Sequence, residues 1–212
     1  MSNLAILISL SIAVLGFLFL FWRRLKEDYP SEQIFTFGFI VVGFILTGFS
    51  VGLLTTGLKT QNQDLFYVKN LWFWFSFLFG AIGFFVSFFK LRLRFFETLE
   101  ATGLGFLFLC FAISVINAIQ TVDIKLLFFS LFQLFLIFFF FFVDARYKNL
   151  SWYKSGKVGF SGLLTLALFF LVRAIVALID PHMLSFVGKI DAIISILVSF
   201  IFFASLYNLS EQ

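Results

Sequence analysis

The chain has 212 residues, 62% hydrophobic and only 12% charged, with 38 Phe, two Pro, one Cys and one His. A soluble domain cannot bury that much apolar surface, whereas a bilayer solvates it. The net charge of +4 calls for no nucleic acid, because basic loops beside anionic lipid account for it.

One Cys excludes an intramolecular disulfide, and one His excludes a multi-histidine metal site. No CxxC, HExxH, P-loop or GxSxG pattern occurs, so no metal or cofactor is expected. A spanning helix needs about 20 largely apolar residues. Seven stretches meet or approach that length: 4–22, 34–58, 71–89, 101–119, 126–143, 158–179 and 190–207. The expected fold is all-α, a single polytopic integral membrane bundle of seven transmembrane helices.

The first stretch has no Lys or Arg before it, and Arg23 and Arg24 follow it. That is the reverse of a cleavable signal and reads as a signal anchor with its N-terminus outside. The second carries Gly38, Gly43, Gly48 and Gly52, the last two in GxxxG spacing, with Thr47 and Ser50 beside them. Gly80 and Gly83 mark the third stretch, Gly103 and Gly105 the fourth. Small residues of this kind let helices approach closely. Cys110 in the fourth is expected to act as a small hydrophobe, and Asn117 lies near that helix's outer end. The fifth contains Gln133 and the run Phe138–Phe142, read as lipid-facing filler. Asn117 and Gln133 are expected to hydrogen-bond between helices. Asp191 opens the seventh and reads as an interfacial acid near the outer surface.

The loops supply the orientation. Odd loops hold Arg23, Arg24, Lys26, Lys90, Arg92, Arg94, Arg146, Lys148, Lys154 and Lys157; even loops hold Lys59, Lys69, Lys125 and Lys189. Ten basic residues against four puts the odd loops and the C-terminus in the cytoplasm. Trp22, Trp72, Trp74, Tyr147, Trp152, Tyr153 and Tyr207 fall near the expected interfaces, where amphipathic rings collect.

Arg173, in the sixth stretch, is the charge that asks for an explanation. Its burial at a helix centre costs about 2.5–3.5 kcal/mol on insertion scales, so such a residue faces a cavity or a partner. Two readings stand side by side. Arg173 snorkels towards Asp180, seven residues on along the same face, or towards outer lipid phosphates. Otherwise its guanidinium fork holds a phosphate head group in an outward-facing pocket. Ion transport fits poorly, because one Arg and two amides do not line a path.

Three segments resemble the prolipoprotein diacylglyceryl transferases, bacterial inner-membrane enzymes that move diacylglycerol from phosphatidylglycerol to a lipobox cysteine. They are FWRRLKEDYPSEQIFTFGFIVVGFILTG, FKLRLRFFETLEATGLGFLFLCFAISVINAI and SGKVGFSGLLTLALFFLVRAIVALID. The resemblance implies seven helices, a phospholipid partner and a lipoprotein signal peptide as the other substrate. It places Arg173 on a functionally important helix-six Arg and Asn117 on a signature Asn, making both the implied lipid-binding residues. It also places Ser114 where the signature Arg belongs and Trp74 near a histidine, with Phe75 and Ser76 after it in place of two glycines. Ala177 stands where an acid is expected, and His182 does not substitute as base. A base or positioned group to activate the thiol, and cations to hold the phosphate, are what such a transfer needs. Two functions therefore remain: a diacylglyceryl transferase, or a non-catalytic protein of the same fold that binds lipid or a partner helix.

Overall fold

The computed structural model describes residues 3–56, 72–149, 158–180 and 189–211. His182, Trp152, Tyr153 and the loop lysines Lys59, Lys69, Lys154 and Lys157 lie outside the described residues. Seven α-helices are present among the described residues: α1 Asn3–Leu25, α2 Ser31–Thr56, α3 Trp72–Leu91, α4 Phe95–Thr121, α5 Ile124–Asp144, α6 Phe160–Ile179 and α7 Lys189–Glu211. A short 3-10 turn, Tyr147–Asn149, follows α5. Six of the helices, α2 to α7, are long and apolar enough to cross a membrane. The described residues are all-helical, and the chain is a multi-pass membrane protein.

Several helix ends differ from expectation, and local chemistry explains them. Helix α4 begins at Phe95 rather than near residue 101 because its first carboxylates are satisfied within the protein. Glu97 accepts from Tyr29 Oη at 2.8 Å and from Arg94 Nη1 at 2.9 Å, and Glu100 accepts from Arg24 Nη2 at 3.3 Å. Helix α5 begins at Ile124 rather than 126. Asp123 caps it, accepting from the backbone N–H groups of Lys125 at 2.9 Å and Leu126 at 3.4 Å. Only Val122 and Asp123 then connect α4 to α5, and Val122 takes the left-handed conformation at φ 52°.

Helix α4 is the axis of the bundle, packed against α1, α5 and α6 and touching α3. Around it stand two close hairpins, α2 with α3 and α6 with α7. Gly48 shows why the first is close: a Cβ there would lie 2.4 Å from the Phe75 carbonyl oxygen. The GxxxG helix is used for packing, as its spacing implied.

The core is largely aromatic, with Phe17, Phe21, Phe37, Phe140, Phe169 and Phe170 fully buried. The pentaphenylalanine run is not uniform filler. Phe138 and Phe142 face outwards, but Phe140 is core, and the Arg23 guanidinium lies 5.3 Å from the Phe141 ring. Tyr147 and Trp74, read as interface rings, are both buried; Tyr147 stacks on Phe160 at 5.9 Å.

Candidate functional site

At one end of the bundle two cations of the odd loops, Arg24 and Arg94, are tied to carboxylates of α4 and α5. Arg24 at the end of α1 lies 3.3 Å from Glu100 and 3.6 Å from Asp144, whose Oδ1 also accepts from Ser161 Oγ at 3.4 Å. Burial pulls the Arg24 pKa down, but Glu100 and Asp144 outweigh it and the net shift is upward. Alongside, Tyr29 Oη receives the Arg94 backbone N–H at 3.1 Å while donating to Glu97. Burial first, then the Glu97 bond, raises the Tyr29 phenol above its ordinary pKa. At the opposite end Lys125 Nζ pairs with Asp180 Oδ2 at 2.6 Å.

Arg173 therefore does not reach for Asp180. Its guanidinium Nη2 donates to Asp191 Oδ2 at 2.7 Å, with side chains 3% and 0% exposed. Asp191 is not an interfacial acid; it is the buried counter-ion. Its other oxygen accepts from Trp74 Nε1 at 2.9 Å and from Ser195 Oγ at 3.2 Å. The guanidinium carbon lies 3.7 Å from the Phe73 ring centroid and 5.7 Å from that of Trp74, within cation–π range. One carboxylate thus gathers donors from α3, α6 and α7. Where Ala177 leaves no acid on α6, the neighbouring helix supplies one.

Asn117 stands half-buried on α4, two turns beyond Cys110, and is not among the partners of Asp191. Ser114 and Cys110 are buried, the latter within the apolar core. Gln133 is also buried, and its Oε1 makes no hydrogen bond among the described residues. Sequence reasoning read Asp191 as an interfacial acid and missed its pairing with Arg173, because it lies on the next helix. A signal was present: in an antiparallel hairpin, Arg173 six residues before the end of α6 and Asp191 two residues into α7 come to similar depths.

A second feature was not legible at all. An apolar cavity of about 270 Å³ lies between α3, α4, α6 and α7, just below the 300–1,000 Å³ usual for ligand pockets. It runs from Phe95 and Phe96, beside the basic α3–α4 turn, to Phe77 and Phe106. Phe85 and Ile201, 47% and 60% exposed, stand on its open side. Thr102 in its wall has a buried Oγ1 with no hydrogen-bond partner among the described residues. At the far end Phe77 packs on Phe170 at 5.1 Å, and Phe170 stacks on Trp74. Phenylalanines thus separate the cavity from the Arg173–Asp191 pair.

No family model, curated protein or solved structure matches the chain.

Proposed function

We propose that this is a seven-span protein of a bacterial inner membrane, N-terminus outside and C-terminus cytoplasmic, that binds membrane phospholipid without catalysing transfer. The observation that carries the lipid reading is the cavity. Its wall is almost wholly aromatic and aliphatic, and the exposed Phe85 and Ile201 stand at its open side. An acyl chain entering it exchanges one apolar surrounding for another, so packing contacts and the shape of the cleft select the ligand rather than the hydrophobic effect. The odd-loop charges support the orientation, since those described gather at one end of the bundle.

The transferase reading draws on Arg173, Asn117 and the resemblance. Against it stands the counter-ion: a guanidinium already neutralised by Asp191 offers a phosphate little net charge, and opening the pair would strand a buried carboxylate. Trp74, at the position near the family's histidine, orients that carboxylate and has no basic lone pair. We read Arg173 as a pin between helices.

A phospholipid carrying a diazirine in its acyl chain tests the proposal. Crosslinking in membranes is expected to mark Phe106, Leu166 and Phe202, and Ala81→Phe, which fills the cavity, is expected to remove those marks. Labelling confined to outward residues such as Phe138 and Ile175 would overturn it. Rescue of lipoprotein modification in a transferase-depleted strain would overturn the non-catalytic part.

A further inference from the structure

The cavity has a charged neighbour. Lys90 lies in the last turn of α3, Arg92 and Arg94 in the turn to α4, and the next two residues, Phe95 and Phe96, line the cavity. This turn is built rather than loose. Leu93 is buried, the Arg94 backbone N–H donates to Tyr29, and the Arg94 side chain is held by Glu97. Arg92, just before Leu93, is exposed and sits at φ 52°, a left-handed conformation that costs a non-glycine residue strain. Neither Lys90 nor Arg92 belongs to an ion pair among the described residues, whereas Arg94, Arg24, Lys125 and Arg173 each do. Two uncommitted cations thus stand where an apolar cleft reaches the end of the bundle.

We infer that the cavity and this turn form one site for an anionic phospholipid of the leaflet next to the basic loops. Its acyl chain lies along Phe85, Thr102 and Ile201, and its phosphate rests on Lys90 and Arg92. The inference rests on the lipid reading above and adds to it the head-group class and the leaflet. Arg92 supplies the planar fork that suits phosphate oxygens, and Lys90 a second point charge. The site lies at the opposite end of the bundle from Lys125 and Asp180, and so in the other leaflet from the phosphate pocket that the sequence suggested for Arg173.

The full chain, delipidated in detergent, would be titrated by native mass spectrometry with dioleoyl phosphatidic acid and, separately, dioleoyl phosphatidylcholine. Equal chains isolate the head group. One phosphatidic acid per chain is expected, bound about tenfold or more tighter than phosphatidylcholine, since two cations face its phosphate. Lys90→Gln/Arg92→Gln is expected to bring the two lipids to equal affinity without loss of phosphatidylcholine binding. Ala81→Phe is expected to lower both, with Thr102→Phe as a second cavity-filling variant and helical circular dichroism to verify folding. An unchanged preference in the double charge variant, with both lipids still sensitive to Ala81→Phe, overturns the head-group site and leaves the lipid reading standing. Insensitivity of both lipids to both cavity-filling variants overturns the lipid reading itself. Disulfide coupling between chains through Ile201→Cys, with no lipid retained, would assign the cleft to a second copy and overturn both.

Discussion

The Arg173–Asp191 pair sets the energetics at the scale of single residues. Removing one member of a buried ion pair leaves the other uncompensated and costs about 3–5 kcal/mol, whereas replacing both by apolar residues is often neutral or better. Asp191→Leu should therefore destabilise strongly, and Arg173→Met/Asp191→Leu should recover most of that loss; thermal melts in detergent compare them. Trp74→Phe keeps the ring packing but removes a donor to a charged oxygen, and should cost about 1.5–3 kcal/mol in the same melts. Arg173 was legible in the sequence as a charge needing a partner; the partner was not. Asp180 follows directly on the end of its helix, but seven residues at 1.5 Å each put it about 10 Å along the axis. Asp191 is eighteen residues away in the chain and 2.7 Å away in space. The fold of the hairpin, which hydropathy does not encode, decides between them.

At the scale of elements, hydropathy located the helix interiors and misjudged ends where charge is satisfied internally. Glu97 and Glu100 read as loop residues, yet both are buried and lie inside α4. An apolar pattern does not distinguish a carboxylate paired across helices from one in water. The α4–α5 turn shows the same limit in reverse, because a six-residue loop in the sequence is a two-residue turn held by the Asp123 cap. Val122 occupies the left-handed position of that turn, which favours glycine by roughly 1–2 kcal/mol over residues with a Cβ. Val122→Gly should raise stability by about 1 kcal/mol, less its entropic cost in the unfolded chain. Gly48 predicts the opposite sense: Gly48→Ala forces α2 from α3 at the Phe75 carbonyl and should cost about 1–3 kcal/mol.

For the whole molecule, the proposed orientation rests on loop charge. Odd-loop cations meet at one end in the Arg24–Glu100–Asp144 and Tyr29–Glu97–Arg94 networks, while Lys125 and Asp180 close the other. In a Cys110→Ala background, which removes the one native thiol, Lys148→Cys should label only from the cytoplasmic side and Val122→Cys only from outside. Both positions are exposed. Equal labelling of both from one side would reverse or break the proposed topology. The cavity belongs to this scale too. No residue pattern announced it, because it arises where α3 and α7 fail to close over α4, and each lining Phe alone looks like any other of the 38.

The central claim separates a structural arginine from a lipid site, and one measurement addresses it directly. Arg173→Met/Asp191→Leu, verified as folded, would be crosslinked with the diazirine phospholipid beside the wild type. Labelling of Phe106, Leu166 and Phe202 at wild-type level is the predicted result. Loss of that labelling in a protein of wild-type stability would contradict the account and make Arg173 the residue that holds the lipid.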